Sequence, residues 1–274
     1  MRLQRVIEGE LNKLLIFELE EGLSVESVHY RGDTLCVSTQ MGCAVRCGFC
    51  ASGSKGLFRN LTAEEIVKQV TLSKELFPVK RVAIAGIGEP LANFENVLKA
   101  FWEFKKMSLK VSFYTVGSPI ARLSHLLELP HGGVTISIHS MSEEKRKLLM
   151  PYAGSLHRLL GFLRRKLRTM STNKRKKVSL AYLLLKGFND SIEELYSLAR
   201  TAKELNVSLT LLYYNRIGDF LAPSPEEYER AFLFLRSQGV RVTLSTRFRR
   251  ESLGGCGTLT VGRFTQTREE ESLP

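Results

Sequence analysis

From Thr34 onward the chain alternates short β-rich apolar runs with longer stretches of helical periodicity, and this alternation constrains the fold more than any other feature. The apolar runs fall at 34–39, 81–85, 111–115, 134–138, 178–185, 207–213 and 240–244. Helix-like stretches lie between them, at 62–76, 94–107, 121–128, 143–149, 156–168, 192–205 and 225–237. Strands that are each followed by a helix run parallel, because the helix returns the chain along one face of the sheet. Six or so such units fit a partial (βα)6 barrel, an α/β fold, better than a doubly wound sheet. In such barrels chemistry gathers at the carboxyl ends of the strands. Thr62 before Ala63-Glu64-Glu65 predicts a capping box, and Asp190-Ser191 and Ser224-Pro225 predict two further helix starts. Residues 1–33 read as an N-terminal β extension in which 14–17 and 25–30 are strands covering one end of the barrel. Residues 34–264 are then the barrel with its C-terminal cysteine loop, and 265–274 a polar, acidic tail.

Five cysteines carry the chemistry. Three lie in Cys43-Ala44-Val45-Arg46-Cys47-Gly48-Phe49-Cys50, a Cys-x3-Cys-x2-Cys spacing just after the first strand. Three thiolates so spaced can hold three irons of a four-iron, four-sulfur cluster and leave the fourth iron open. Structural zinc wants four ligands in paired Cys/His spacings, and no matching pair sits nearby. An open iron is where S-adenosylmethionine (SAM) can chelate and be cleaved. Gly86-Ile87-Gly88-Glu89-Pro90 follows the second strand and is not a dinucleotide fingerprint, since Leu91 stands at the third glycine position. Beside a cluster it becomes a clamp for the ammonium end of SAM, with Glu89 suited to that charge. Cys256 lies in Leu253-Gly254-Gly255-Cys256-Gly257-Thr258. A lone cysteine is most often a small buried hydrophobe. Glycines on both sides instead suit an accessible nucleophile. His139 ends the fourth strand and Asn215 follows the sixth, so four candidate sites meet at one mouth.

Lysine and arginine number 40 against 28 acids, a formal net charge of +12 that suits a polyanionic partner, nucleic acid first. An apolar content of 43% supports a substantial core, and no apolar run reaches membrane-span length. The first ten residues place acids where a signal peptide needs an apolar stretch, and an odd number of cysteines argues against a secreted disulfide framework. A cytoplasmic location is therefore expected.

Together these residues resemble the RlmN/Cfr family of radical SAM enzymes, which methylate adenine in RNA. The stretch from Thr34 to Cys50 matches the family's cluster segment almost position by position, and Phe58-Arg59-Asn60-Leu61-Thr62 matches the segment after it. Gly88-Glu89-Pro90-Leu91-Ala92-Asn93-Phe94-Glu95-Asn96-Val97 matches the SAM-binding segment. Ser137-Ile138-His139, Phe188-Asn189-Asp190, Asn215 and Cys256-Gly257 follow in the family's order, so the likeness runs from about residue 26 to 257. The resemblance implies a [4Fe-4S] cluster on Cys43, Cys47 and Cys50, and SAM contacts from Gly88, Glu89, Ser137, Ile138, His139 and Asn215. It implies two SAM molecules per turnover. One methylates Cys256, and the other is cleaved to the radical that activates that methyl group for attack on carbon 2 of adenine, or less often carbon 8. Cys36 then attacks the sulfur of Cys256, forming a disulfide and freeing the base, while Glu26 takes the ring proton. Ribosomal or transfer RNA is the implied substrate, and an electron donor such as flavodoxin or ferredoxin the implied partner. The same chemistry on a substrate other than RNA is the alternative.

Three departures from the family stand out. The small helical domain that usually precedes the barrel is missing before Glu26, which points to a smaller RNA or a helping protein. Tyr114 stands where a serine usually contacts SAM. The segment from Arg249 to Gly255 replaces the Asp-Ile and alanines usual before the far cysteine. Phosphate contacts are expected from Lys174-Arg175-Lys176-Lys177 or from Arg247, Arg249 and Arg250.

Overall fold

The computed structural model describes residues 1–19 and 23–261, so the expected tail lies outside the described residues. Strand β1 is Arg2–Glu8, β2 Lys13–Glu18, β3 Ser24–Tyr30 and β4 Thr34–Val37. A small hairpin follows, β5 Gln40–Gly42 and β6 Leu57–Asn60. The barrel strands continue with β7 Arg81–Ile84, β8 Lys110–Thr115, β9 Gly133–Ser137, β10 Val178–Leu183, β11 Ser208–Leu212 and β12 Val242–Leu244. Between them run α1 Ala63–Lys74, α2 Phe94–Lys106, α3 Ile120–Glu128, α4 Glu143–Leu149, α5 Leu156–Thr169, α6 Thr172–Arg175, α7 Ile192–Leu205 and α8 Pro225–Ser237, with the short α9 Arg247–Arg250 after β12.

One ten-stranded sheet runs β1-β2-β3-β4-β7-β8-β9-β10-β11-β12. From β4 to β12 every neighbour is parallel and in chain order, the curved sheet of a partial barrel. The helices cover it through apolar stripes. In α5 the buried Leu156, Leu159, Leu160, Leu163 and Leu167 recur at helical spacing, while Arg158, Arg164, Arg165 and Arg168 share the remaining surface. Phe101 and Phe104 of α2 and Phe113 of β8 are fully buried, so truncating either helix phenylalanine to alanine would cost about 3–5 kcal/mol. The expected caps form: Thr62 and Ser224 make complete capping boxes with Glu65 and Glu227, and the Ser191 side chain accepts from Glu194 N–H.

The N-terminal strands depart from the sequence reading. They do not cover an end of the barrel but prolong the sheet, with β3 antiparallel to β4 in the register Val28 opposite Cys36. Only residues 31–33 separate these strands, and Arg31 (φ 56°) and Gly32 (φ 74°) take the left-handed conformation of a tight hairpin. So short a link leaves room for an antiparallel neighbour and nothing else. The edge strand β1, absent from the sequence reading, pairs with β2.

Candidate active site

The chain leaves the sheet after Val37 because a buried polar network holds the bend. Gln69 of α1 accepts from Ser38 N–H (2.8 Å) and donates to the Ser38 carbonyl (2.9 Å), while Ser38 Oγ donates to the carbonyl of Glu26 (2.5 Å). Ser38 Oγ also accepts from Ile87 N–H (2.8 Å), so the segment after β4 and the glycine loop after β7 are one braced unit. Gly88 in that loop has φ 108°, and a β-carbon there would come within 2.7 Å of Gln40 and Thr39, so neither conformation nor space admits a side chain. Asn93 adds a further tie, donating to the carbonyls of Thr39 and Leu61 at 2.7 Å each.

The three-cysteine segment hangs from this unit between β5 and β6 rather than directly after β4. Cys43 N–H donates to the Gly56 carbonyl (2.9 Å), and Gly48 N–H to that of Leu149 (3.0 Å). The three thiols are half-buried. Burial first, and then the neighbouring thiols, push Cys43 up to about 12 and Cys47 well above its ordinary value. Cys50 is also raised, chiefly by burial, against hydrogen bonds from Ser52 and Gly53. Among the described residues no three ligating side chains converge on a single metal ion. Mutually repelling, poorly solvated sulfurs are what a cationic iron–sulfur core would stabilise.

Glu89 is buried at the end of this unit. Its carboxylate accepts from Thr115 Oγ1, Val116 N–H (2.9 Å) and Leu91 N–H (3.1 Å). Burial still outweighs these donors and raises it to about 7. His139 follows β9 with φ 59°. Its Nδ1 accepts from Leu183 N–H (3.0 Å), which puts the proton of the neutral ring on Nε2. Burial and the nearby Arg146 lower it to about 3, so the ring stays neutral, and it meets Phe49 of the cysteine loop edge-on at 5.1 Å. Ser137 ends β9 and Ile138 is fully buried.

Cys256 and Cys36 meet from opposite directions. Cys36 is fixed inside the sheet between β3 and β7. Cys256 is exposed on the C-terminal loop. Both line a cavity of about 140 Å³ with Cys50, Val28, Tyr30, Tyr114, Phe248 and Arg249. Asn215 organises the loop, its amide donating to the carbonyls of Arg249 (2.7 Å) and Cys256 (2.9 Å). A β-carbon on Gly255 would lie 2.2 Å from the Glu251 carbonyl and 2.9 Å from both the Arg249 carbonyl and the Asn215 amide, so the backbone closes only around glycine. The loop is also tied to the cysteine segment, with Ala51 N–H donating to Gly257 (2.8 Å) and Ser52 Oγ to Leu259 (2.8 Å). Burial, then the charge of Cys256, push the Cys36 thiol up to about 12, with Arg249 pulling the other way. Arg249 stacks 4.8 Å over the ring of Tyr114 and donates to its hydroxyl. Burial works against the Arg249 charge, but Cys256, Tyr114 and Tyr30 raise it overall.

Residues 37–199 match the Radical SAM superfamily. The "Probable RNA methyltransferase" of Rhodopseudomonas palustris (strain BisB5) is 34% identical over 264 residues, covering 92% of this chain and 72% of that protein. The "Probable dual-specificity RNA methyltransferase RlmN" of Chlorobium phaeobacteroides is 31% identical over 281 residues, 94% of this chain and 76% of that one. The chain belongs to the RlmN/Cfr family of radical SAM RNA methyltransferases. A crystal structure of a radical SAM methyltransferase from Sphaerobacter thermophilus superposes with a TM-score of 0.84 at 27% identity, over 94% of this chain and 80% of that one. Streptococcus suis SuiB bound to S-adenosylmethionine, at 15% identity and a TM-score of 0.60 over 81% of this chain and 53% of that one, shares the fold alone.

Set against the RlmN/Cfr pattern, the structure brings Cys36, Cys256 and the three-cysteine segment together, with Glu89 beyond the end of β7 and His139 beyond that of β9, on either side of β8. Asn215 lies on the same side, but its amide is engaged with the Cys256 loop. Glu26 is buried on β3 and does not line the cavity. It shares the strand face of Val28 and Tyr30, which do, and accepts from Thr260 N–H (2.8 Å). The disulfide expected between Cys36 and Cys256 is not formed in this structure, in which all five cysteines are free. Two residues escaped the sequence reading. Asn12, in the β1–β2 turn, donates to the carbonyls of Phe248 (2.7 Å) and Leu253 (3.2 Å) and so anchors the segment leading to Cys256. Arg146 of α4 is buried and donates to the carbonyls of Gly154 (2.6 Å), Val116 (3.1 Å) and Ser137 (3.4 Å), joining the ends of β8 and β9. A charged run in a short helix gives no sign of which charge turns inward.

Proposed function

We propose that this enzyme methylates a ring carbon of adenine in RNA, carbon 2, by way of a methyl group carried on Cys256. The observation that carries the reading is the shared cavity. It unites an exposed thiol on a glycine loop, a half-buried thiol on a rigid strand and one cysteine of the three-cysteine segment. Cys43, Cys47 and Cys50 would hold the [4Fe-4S] cluster, which when bound supplies the one-electron cleavage of SAM that activates the methyl group. Gly88, Glu89, Ser137, Ile138, His139 and Asn215 form the SAM pocket around it.

The protein's own groups account for the remaining steps. Cys256, as thiolate, displaces the sulfonium of SAM and takes its methyl group, releasing the neutral thioether. Its exposure and its three flanking glycines allow that approach. Carbon 2 has no lone pair, so the base is joined through the carried methyl carbon. Glu26 takes the ring proton, reached by displacing the strap at Thr260 that now occupies its carboxylate. The Cys36 thiolate then attacks the Cys256 sulfur. A sulfur–sulfur bond forms, the carbon–sulfur bond breaks with its electron pair passing to the carried carbon, and that carbon takes up a proton as the methylated base leaves. Burial, then the charge of Cys256, raise Cys36 to about 12 even with the Arg249 charge pulling it down, so it rests as a thiol, and methylation of Cys256 removes one of the two causes that hold it there.

The test is mass spectrometry of anaerobically reconstituted protein incubated with SAM, before any RNA is added. One methyl group on the peptide containing Cys256, absent from Cys256→Ala, is the expected result. An intact cluster with no methyl on Cys256 would overturn the proposed route.

A further inference from the structure

Beside the cavity, guanidinium and aromatic groups interleave. Tyr30 and Phe248, both lining the cavity, lie with ring centroids 6.4 Å apart. The Arg31 guanidinium sits 5.9 Å from each ring, and that of Arg247 sits 5.8 Å from Phe248. Arg31 and Arg247 are exposed, and among the described residues neither forms an ion pair with a carboxylate. The rim is also held firmly. Arg31 stands on the left-handed β3–β4 turn, and Asn12 fixes the Phe248 carbonyl.

The other basic groups for which the sequence suggested phosphate contacts are differently engaged. Arg249 and Arg250 turn their guanidiniums onto tyrosines, Arg250 lying 4.4 Å from Tyr213 and 4.8 Å from Tyr228. The lysine-rich segment 174–177, before β10, contributes no residue to the cavity lining. In that segment Lys174 pairs with Glu128 (3.0 Å) and Lys177 donates to the His131 carbonyl (3.3 Å).

We propose that Tyr30, Arg31, Arg247 and Phe248 form the docking rim for an unpaired stretch of RNA, and that this rim delivers one base into the cavity holding Cys36 and Cys256. Unpaired bases stack on aromatic rings and guanidinium planes, and exposed arginines take the flanking phosphates. A base held in a duplex cannot enter a cavity of this size, so a rim that favours a looped strand matches the chemistry of the cavity it borders. The inference rests on RNA being the substrate and adds which surface receives it.

The experiment is fluorescence anisotropy with the full, cluster-reconstituted chain. The probes are a labelled RNA hairpin with an adenine-containing loop and a fully paired duplex of equal length, across a salt series. Arg31→Glu with Arg247→Glu should weaken hairpin binding by roughly tenfold or more and lower the salt slope by about 2, one for each phosphate contact. The milder Arg31→Gln with Arg247→Gln should show the same direction, which guards against misfolding of the charge-reversed protein. Phe248→Leu should erode the preference for hairpin over duplex while keeping the salt slope. Lys174→Glu with Lys176→Glu should change hairpin affinity less than twofold. Rim variants that bind like wild type, or a lysine-segment variant that weakens binding instead, would overturn the rim and leave RNA as substrate intact. Wild-type protein that binds neither RNA, although Cys256 becomes methylated, would remove the RNA substrate and the rim with it.

Discussion

Two cysteines that face one cavity are presented in opposite ways. Cys36 is locked in β4, hydrogen-bonded into the sheet on both sides, and its thiol is raised to about 12. Cys256 sits exposed on a loop whose path is set by Gly254, Gly255 and Gly257 and by the Asn215 amide. The difference separates two requirements of the proposed reaction. A methyl carrier must admit a bulky sulfonium and then turn its new methyl group toward the base. A resolving thiol must stay silent until the end, and a fixed, poorly ionised sulfur does so.

The strongest way to break the contrast is to exchange the outcomes of removing each thiol. Cys256→Ala should abolish protein methylation and RNA product together. Cys36→Ala should keep the first transfer to Cys256 yet trap protein joined to RNA, seen as a shifted band on a denaturing gel. Identical phenotypes for the two variants would erase the division of labour.

A smaller effect is expected at Gly255. Alanine there meets backbone at 2.2 Å, so the loop must move. A displacement of about 1 Å at a reacting group can cost on the order of 100-fold in rate. The rate of Cys256 methylation should fall by roughly that factor while thermal unfolding shifts only a few degrees. Full activity in Gly255→Ala would mean that the loop path is not set by close approach.

Alkylation sharpens the contrast without any cofactor. A thiol raised to about 12 is protonated below that value, leaving about one thiolate in 10,000 at pH 8. Iodoacetamide at pH 8 should therefore label Cys256 well before Cys36, and labelling of Cys36 should climb steadily toward pH 11. Equal labelling of both, read by peptide mass spectrometry, would show that Cys36 is not shielded. The smallest effect belongs to Asn12→Ala, which frees one anchor of the 248–253 segment. It should slow Cys256 methylation a few-fold and cost about 1 kcal/mol of stability, measured by denaturant unfolding.

Much of this was legible in the sequence because periodicity and capping are local. The helices α4, α7 and α8 begin and end where their apolar spacing and their Ser or Glu caps place them. The three-cysteine spacing and the glycines around Cys256 likewise announce chemistry at short range. The course of the N-terminal strands was not legible, because an apolar run does not state which edge it will pair with. The hairpin β5–β6 was hidden because strands of three and four residues carry too little pattern to be seen.

The sequence by itself determined the order of strands and helices, the three-cysteine segment and the presence of two further thiols, since each depends on residues close together in the chain. Only the tertiary structure decided that Cys36 and Cys256, 220 positions apart by their numbers, share one cavity. It also decided that Asn12 and Asn215 hold the loop between them, and that Arg31 joins Arg247 against Phe248. Those relations come from sheet register and loop closure, which bring distant residues together by burying apolar faces that carry no record of their eventual neighbours.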